Sequence, residues 1–327
     1  MTERFTRFYA GQTSCCTLSP LYTPSPTLSP LSHSPAQPAT MPALSPVTLV
    51  VGATGKQGSA VIRALQALPQ PPQIRALSRN PSSPAAQKLK DQGIEVVKGD
   101  LTDSSSLDKA LTGVASAFLV TTLPTKGQPT EDQQGKNFIA AAQRASLPFL
   151  VFSSVANATP TIGIPHFETK AVIEEALETS GLRYAVVAPV AFADNYPTEA
   201  GFALTMALGF FDAALKGKKL QLVSTDDIGY VVAEMLNDPS RFAGRHVDLA
   251  SDSLTMREVQ QTYSRVLGCR VSKAWLPGAV ISLIPHDFKQ MMRWFHDVGY
   301  SADIAALRQE FPKLKSFEQW LRDQRKQ

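Results

Sequence analysis

Three glycines fall three apart in Gly52-Ala53-Thr54-Gly55-Lys56-Gln57-Gly58, directly after the apolar run Val47-Thr48-Leu49-Val50-Val51. The run is rich in β-branched residues and reads as a buried strand. Ser59-Ala60-Val61-Ile62-Arg63-Ala64-Leu65 reads as the first turns of a helix, so the glycines sit in a strand-to-helix turn. Such a turn uses glycine for three separate reasons: an unusual backbone angle, close approach of a pyrophosphate, and tight packing of helix on strand. The helix start adds unpaired N–H groups and the positive end of its dipole. The chemistry implied is the holding of a dinucleotide, although the spacing departs from the dehydrogenase form G-x-G-x-x-G. A purely structural glycine turn is the bland alternative, and the strand-and-helix alternation that follows argues against it.

Further along, Ser78-Arg79-Asn80-Pro81 closes a second strand. A carboxylate here would take the 2′-hydroxyl of an adenosine ribose and select NAD. Arg79 stands there instead, and a guanidinium forks onto a 2′-phosphate, so the expected cofactor is NADP(H). Gly99-Asp100-Leu101 ends a third strand. Asp100 can accept from an adenine amino group or simply brace the turn, with Leu101 over the base. Thr121, Thr122 and Leu123 end a fourth strand with small groups, and Ser153-Ser154 end a fifth with hydroxyls. His166 and Lys170, four apart in Pro165-His166-Phe167-Glu168-Thr169-Lys170, share one face of a helix. Lys170 suits a nicotinamide ribose. His166 can deliver a proton near neutral pH, but a neighbouring ammonium disfavours its charged form, and a helix-start role competes.

These groups need a scaffold that brings strand ends together. Gln73–Ser78, Ile94–Lys98, Ala115–Val120, Phe149–Ser153 and Tyr184–Val187 read as further strands. Helical patterns separate them, at 85–92, 105–111 and 131–145. Strand and helix in turn predict right-handed crossovers and a doubly wound parallel sheet, an α/β Rossmann-type fold with ligands at the carboxyl ends of the strands. After Asn195 the alternation weakens. Helices are expected at 202–215 and 226–236, a strand at 246–249, a helix begun by the capping-box pattern Thr255-Met256-Arg257-Glu258, a short strand at Ser272–Trp275, and helices to the end. The expected domains are 47–195 for the dinucleotide and 196–327 for a smaller, mostly helical lobe roofing the strand ends, with sheet strands free to interleave. Residues 1–46, dense in Ser, Thr and Pro, are expected to be disordered.

Composition narrows the class. With 43% hydrophobic and 18% charged residues, the chain has the make-up of a soluble globular protein. Its net charge of +4 gathers into no basic stripe, so nucleic-acid binding is not expected. Three cysteines, two of them adjacent in the tail, suggest neither a disulfide framework nor a metal site. No apolar stretch is long enough to span a bilayer. The cytoplasm is the expected compartment, with the nucleus, or an organelle addressed by the tail, as alternatives.

Together these stretches resemble the NmrA-like family of atypical short-chain dehydrogenase/reductase proteins. The likeness rests on the glycine turn, Ser78–Pro81, Gly99–Leu101, His166–Lys170, Ser180–Tyr184, Pro189–Asn195, Asp227-Ile228-Gly229 and Gly299–Ile304. The resemblance implies an NADP(H)-binding Rossmann domain whose phosphate loop is Gly52 to Gln57, with Arg79 on the 2′-phosphate and Asp100 and Leu101 at the adenine. It implies Thr121, Thr122, Leu123 and Lys170 on the nicotinamide side, and Phe192, Ala193, Asp194 and Asn195 at the substrate mouth. A lysine common in relatives after the fourth strand has no clear counterpart here, where Gln133 or Gln134 stands. His166 occupies the place of the tyrosine in the classical Tyr-x-x-x-Lys pair. The expected function is reduction of a quinone, enone or carbonyl of a small metabolite. The alternative is a non-catalytic redox sensor acting on a protein partner.

Overall fold

The computed structural model describes residues 46–122, 130–159, 162–277 and 284–326. The expectation of a disordered tail, and the placing of Leu123, therefore lie outside the described residues. β1 (Val47–Val50) leads through the glycine turn into α1 (Lys56–Gln66). There follow β2 (Gln73–Ser78), α2 (Pro84–Asp91), β3 (Glu95–Lys98), α3 (Ser104–Leu111), β4 (Val114–Val120), α4 (Glu131–Arg144), β5 (Leu150–Ser153), α5 (Pro165–Glu178) and β6 (Tyr184–Pro189). Apart from α1, which begins three residues before Ser59, these bounds lie within two residues of those read from the sequence.

After β6 come β7 (Ala191–Phe192), a short 3-10 turn at Ala193–Asn195, α6 (Phe202–Leu215), β8 (Leu220–Val223), α7 (Thr225–Asn237), α8 (Pro239–Phe242), β9 (His246–Leu249), β10 (Asp252–Leu254), α9 (Met256–Leu267), α10 (His286–Asp297), α11 (Ile304–Glu310) and α12 (Phe317–Gln324). The main sheet has seven strands in the order β3-β2-β1-β4-β5-β6-β9, every neighbouring pair parallel. The order reverses between β1 and β4, which makes that junction the switch point where such sheets bind ligands.

Both faces of the sheet are buried, which explains the unbroken apolar runs. Val50, Val151 and Val187 face α1 and α7, while Leu49, Phe152 and Val186 face α3, α4 and α5. Close packing of α1 on α7 depends on Gly229, where an added Cβ would stand 2.5 Å from the backbone of Ala60. A separate core joins α6, α9, α10 and α12 through Leu208, Tyr263, Phe295 and Phe317.

Two expectations fail here. Residues 272–275 form no strand; the segment instead lies along α6, with the amide of Ala274 bonded to the carbonyl of Thr205 at 3.0 Å. A three-stranded sheet, β10-β8-β7, stands where the sequence suggested little besides helix. Its strands have two to four residues, too few for a period-two pattern to show. Thr255 does cap α9 by the reciprocal bonds expected of it.

Candidate functional site

The three glycines divide their work as the turn requires. Gly52 has φ +67°, a left-handed conformation, and a Cβ on it would press within 2.6 Å of Val120. At Gly58 a Cβ would stand 2.2 Å from the carbonyl oxygen of Gly52, so only glycine lets α1 rise this close to β1. Gly55 is the N-cap of α1 in an extended conformation, with no side chain capping the helix and no acid in its first turn. The Gly55 amide bonds back to the Gly52 carbonyl at 2.9 Å. The amides of Lys56, Gln57 and Gly58 are thus left at the mouth of the turn, with the helix dipole behind them.

This turn forms one wall of a cleft of about 510 Å³ that crosses the switch point. Thr54, Gly55, Lys56 and Gln57 line it, while Ala53 lies beneath in the core, fully buried. The second wall is made by the ends of β2 and β3: Leu77, Arg79, Asp100 and Leu101. Arg79 is exposed on the rim, and among the described residues no hydrogen bond or ion pair engages its guanidinium. Asp100 uses one carboxylate oxygen to brace its own turn, accepting from the amide and hydroxyl of Thr102, both at 2.9 Å. Asp103, not Asp100, caps α3.

Toward the inner end lie Val120, Thr121, Thr122, Gln134 and Phe192. Gln134, rather than Gln133, faces the cleft; its amide nitrogen donates to the carbonyl of Thr122 at 3.2 Å. Gln133 is turned to Asn137. Ala193 is buried and Asn195 is exposed, neither lining the cleft. Asp194 accepts from the amide and hydroxyl of Thr225, at 2.8 and 2.7 Å, and so holds the start of α7. Its carbonyl accepts from Lys56 at 3.0 Å, which ties the glycine turn to the chain leaving β6.

Lys170, on α5, reaches under the ends of β4 and β5. Its ammonium donates to the Thr121 hydroxyl at 2.8 Å and to the Ser153 carbonyl at 3.1 Å, and pairs with Glu131 at 3.0 Å. In the sequence Glu131 reads only as the start of a helix. It is 2% exposed, and its carboxylate also accepts from Thr121 at 2.8 Å and Thr169 at 2.6 Å. Burial alone would raise the Glu131 carboxyl, but the Lys170 ammonium and the two hydroxyls outweigh it and hold the group below the usual carboxylate range. Burial lowers the Lys170 ammonium from its ordinary value, with Glu131 opposing the shift. The Ser153 hydroxyl donates to the Gln57 side chain at 2.7 Å, so the network runs on to the glycine turn. Ser154 is turned the other way, onto Glu174.

His166 is the second residue of α5, its ring edge-on to Phe167 at 4.9 Å between centroids. Burial keeps its pKa below the ordinary value, so the neutral ring is favoured. Phe167 in turn packs on Trp294 and Tyr300. Tyr196 is 4% exposed inside the second core, its hydroxyl 3.6 Å from the sulfur of Met256, and so does not line the cleft. A tyrosine facing solvent and one packed in a core have the same signature in sequence.

A parallel sheet in this strand order, with a glycine turn at its switch point, is of the Rossmann type. The chain belongs to the NmrA-like family, whose model matches residues 46–321. It is 31% identical over 250 residues to an NmrA-like family domain-containing oxidoreductase, hkm9, of Aspergillus hancockii, covering 70% of this chain and 74% of that one. It is 32% identical over 207 residues to quinone oxidoreductase 2 of Escherichia coli (strain K12), covering 62% of this chain and 68% of that one. Among solved structures, the triphenylmethane reductase of Citrobacter sp., complexed with NADP(H), superposes with a TM-score of 0.67 at 23% identity, over 85% of this chain and 99% of that one.

Proposed function

We propose that the chain is an NADP(H)-dependent oxidoreductase that reduces a quinone, enone or carbonyl group of a small metabolite. The observation that carries this is the continuous cleft from the exposed Arg79, past the uncapped start of α1, to Thr121 above Lys170. The residues fit the cofactor. The amides of Lys56 to Gly58 suit a diphosphate, the Arg79 guanidinium suits a 2′-phosphate, and Asp100 and Leu101 suit the adenine. Thr121, Thr122, Gln134 and Phe192 then border the nicotinamide. Asp194 supports this end from outside the cleft, holding the start of α7 at Thr225 and the glycine turn at Lys56. The bound nicotinamide supplies a hydride. The protein supplies closeness, orientation and a sheltered surface.

A quinone-like acceptor suits this site better than a simple alcohol or ketone. His166 stands where a tyrosine donor would and is kept neutral by burial. The three N–H bonds of Lys170 already have protein acceptors. Water can protonate a reduced quinone, whereas a simple ketone needs a proton donor at the carbonyl oxygen. The two relatives named as oxidoreductases support the same class. NADPH oxidation followed at its absorbance maximum, across a panel of quinones, enones and ketones, tests the reading; turnover confined to ketones would refute the preference.

The saturated state of Lys170 also favours a second reading, a dinucleotide sensor that acts on a protein partner. Saturable NADPH binding with no turnover across the panel selects it. No helix among the described residues is long and apolar enough to cross a membrane.

A further inference from the structure

We propose that Glu131 is a positioning residue, which fixes Lys170 as an ammonium at the inner end of the cleft and presents that charge to the cleft through Thr121. The inference rests on the dinucleotide reading of the cleft for its functional meaning, and on the geometry of four converging elements for its substance. Glu131 opens α4, where the helix dipole favours an anion. Lys170 comes from α5, Thr121 from the end of β4, and the Ser153 carbonyl from the end of β5. Both oxygens of the carboxylate are used: one by Thr121 and Lys170, the other by Thr169.

A buried ion pair is common as a brace, and two features separate this one from a brace. Thr121 touches both charges and lines the cleft, so the pair has a polar outlet toward a ligand. The Ser153–Gln57 bond gives it a second outlet at the glycine turn. An ammonium at this depth without a carboxylate partner would be driven to the neutral amine, which keeps two N–H donors for Thr121 and Ser153 but loses the positive charge and the third donor, the one that now meets Glu131. Other titratable groups also act on the pair. His166 on α5 interacts with both charges, Glu174 lies one turn beyond Lys170, and Asp287 at the start of α10 acts on His166.

The test uses the full chain labelled with carbon-13 at the lysine Cε, with the Lys170 signal identified by its loss in Lys170→Arg. The Lys170 titration midpoint is expected to fall by about one pH unit or more in Glu131→Gln, a tenfold change in the protonation equilibrium, and to recover in part in Glu131→Asp. The kcat for a quinone acceptor should drop about tenfold in Glu131→Gln, while NADPH affinity, carried by the glycine turn and Arg79, changes less than about threefold. An unmoved Lys170 midpoint in Glu131→Gln overturns the proposal, whatever the variant does to stability. If that variant does not fold, Glu131→Asp decides by the same signal: a lowered midpoint supports the proposal, an unchanged one overturns it. Absence of NADPH binding by the unaltered protein would remove the reading of the cleft, and leave the NMR result to stand or fall alone.

Discussion

At the outer end of the cleft Arg79 stands exposed, and the first amides of α1 have neither a capping side chain nor a neighbouring acid. At the inner end the buried Glu131 pairs with the half-buried Lys170, with all three ammonium donors and both carboxylate oxygens engaged. One end keeps positive charge and N–H groups available; the other has its charges already balanced. An available cation in water costs little, so Arg79 can wait for an anion. A buried cation cannot wait, because desolvation penalises it by several kcal/mol unless a partner is in place. The outer end is therefore built for affinity and the inner end for a fixed geometry, which on the proposed reading surrounds the nicotinamide.

Removing Lys170 should produce the largest effect, because it strands Glu131. Lys170→Met is expected to destabilise the fold by ~3–5 kcal/mol, as breaking a buried ion pair does. Urea denaturation should show most of that loss restored in the double variant Glu131→Gln/Lys170→Met; a double variant as unstable as the single would break the contrast. Gly58→Ala comes next, at ~1–3 kcal/mol from overpacking against the Gly52 carbonyl, with loss of NADPH binding as the turn shifts.

Gly55→Val should cost less, about 1 kcal/mol, since valine is a poor N-cap. Its Cβ would meet only the Gly52 carbonyl, at 3.2 Å, but the side chain crowds the path of a diphosphate. Calorimetry should find neither NADPH nor NADH binding to it. At the outer end, Arg79→Glu should weaken NADPH by ~1.5–3 kcal/mol, the worth of a charged hydrogen-bonding contact, and weaken NADH far less. An equal loss for both nucleotides would dissociate Arg79 from the 2′-phosphate.

The smallest effect is the pH dependence of the inner end. The folded protein holds Glu131 below its ordinary value of 4.5, so its contribution to stability is complete above that pH and is lost as pH falls through the lower, folded value. Melting temperature measured from pH 6 down to pH 3 should therefore fall less steeply in Glu131→Gln than in the unaltered protein. Identical slopes would show that the pair does not titrate with folding.

Local chemistry made the outer end legible. The left-handed angle at Gly52 and the close contact at Gly58 are requirements of a few neighbouring residues, so the sequence carries them openly. The central strands β1, β4, β5 and β6 were readable because burial on both faces demands continuous apolar runs, and the outer strands β2, β3 and β9 from shorter apolar stretches. The inner end was only half readable. Lys170 showed by its spacing from His166, but Glu131 looks like any acid in a first helical turn, and its partner Thr169 is 38 residues away. Gln134 could not be told from Gln133 until α4 turned one of them to the cleft and the other to Asn137. The small second sheet was missed because two to four residues cannot declare a period.

The sequence by itself determined the doubly wound sheet, the glycine turn and the arginine at its rim, since each follows from propensity, burial or backbone sterics within a short stretch. Only the tertiary structure decided which charges meet. Packing α4 against α5 beneath the ends of β4 and β5 joined Glu131 to Lys170, and that same packing removed the water that would otherwise have made their pairing indifferent.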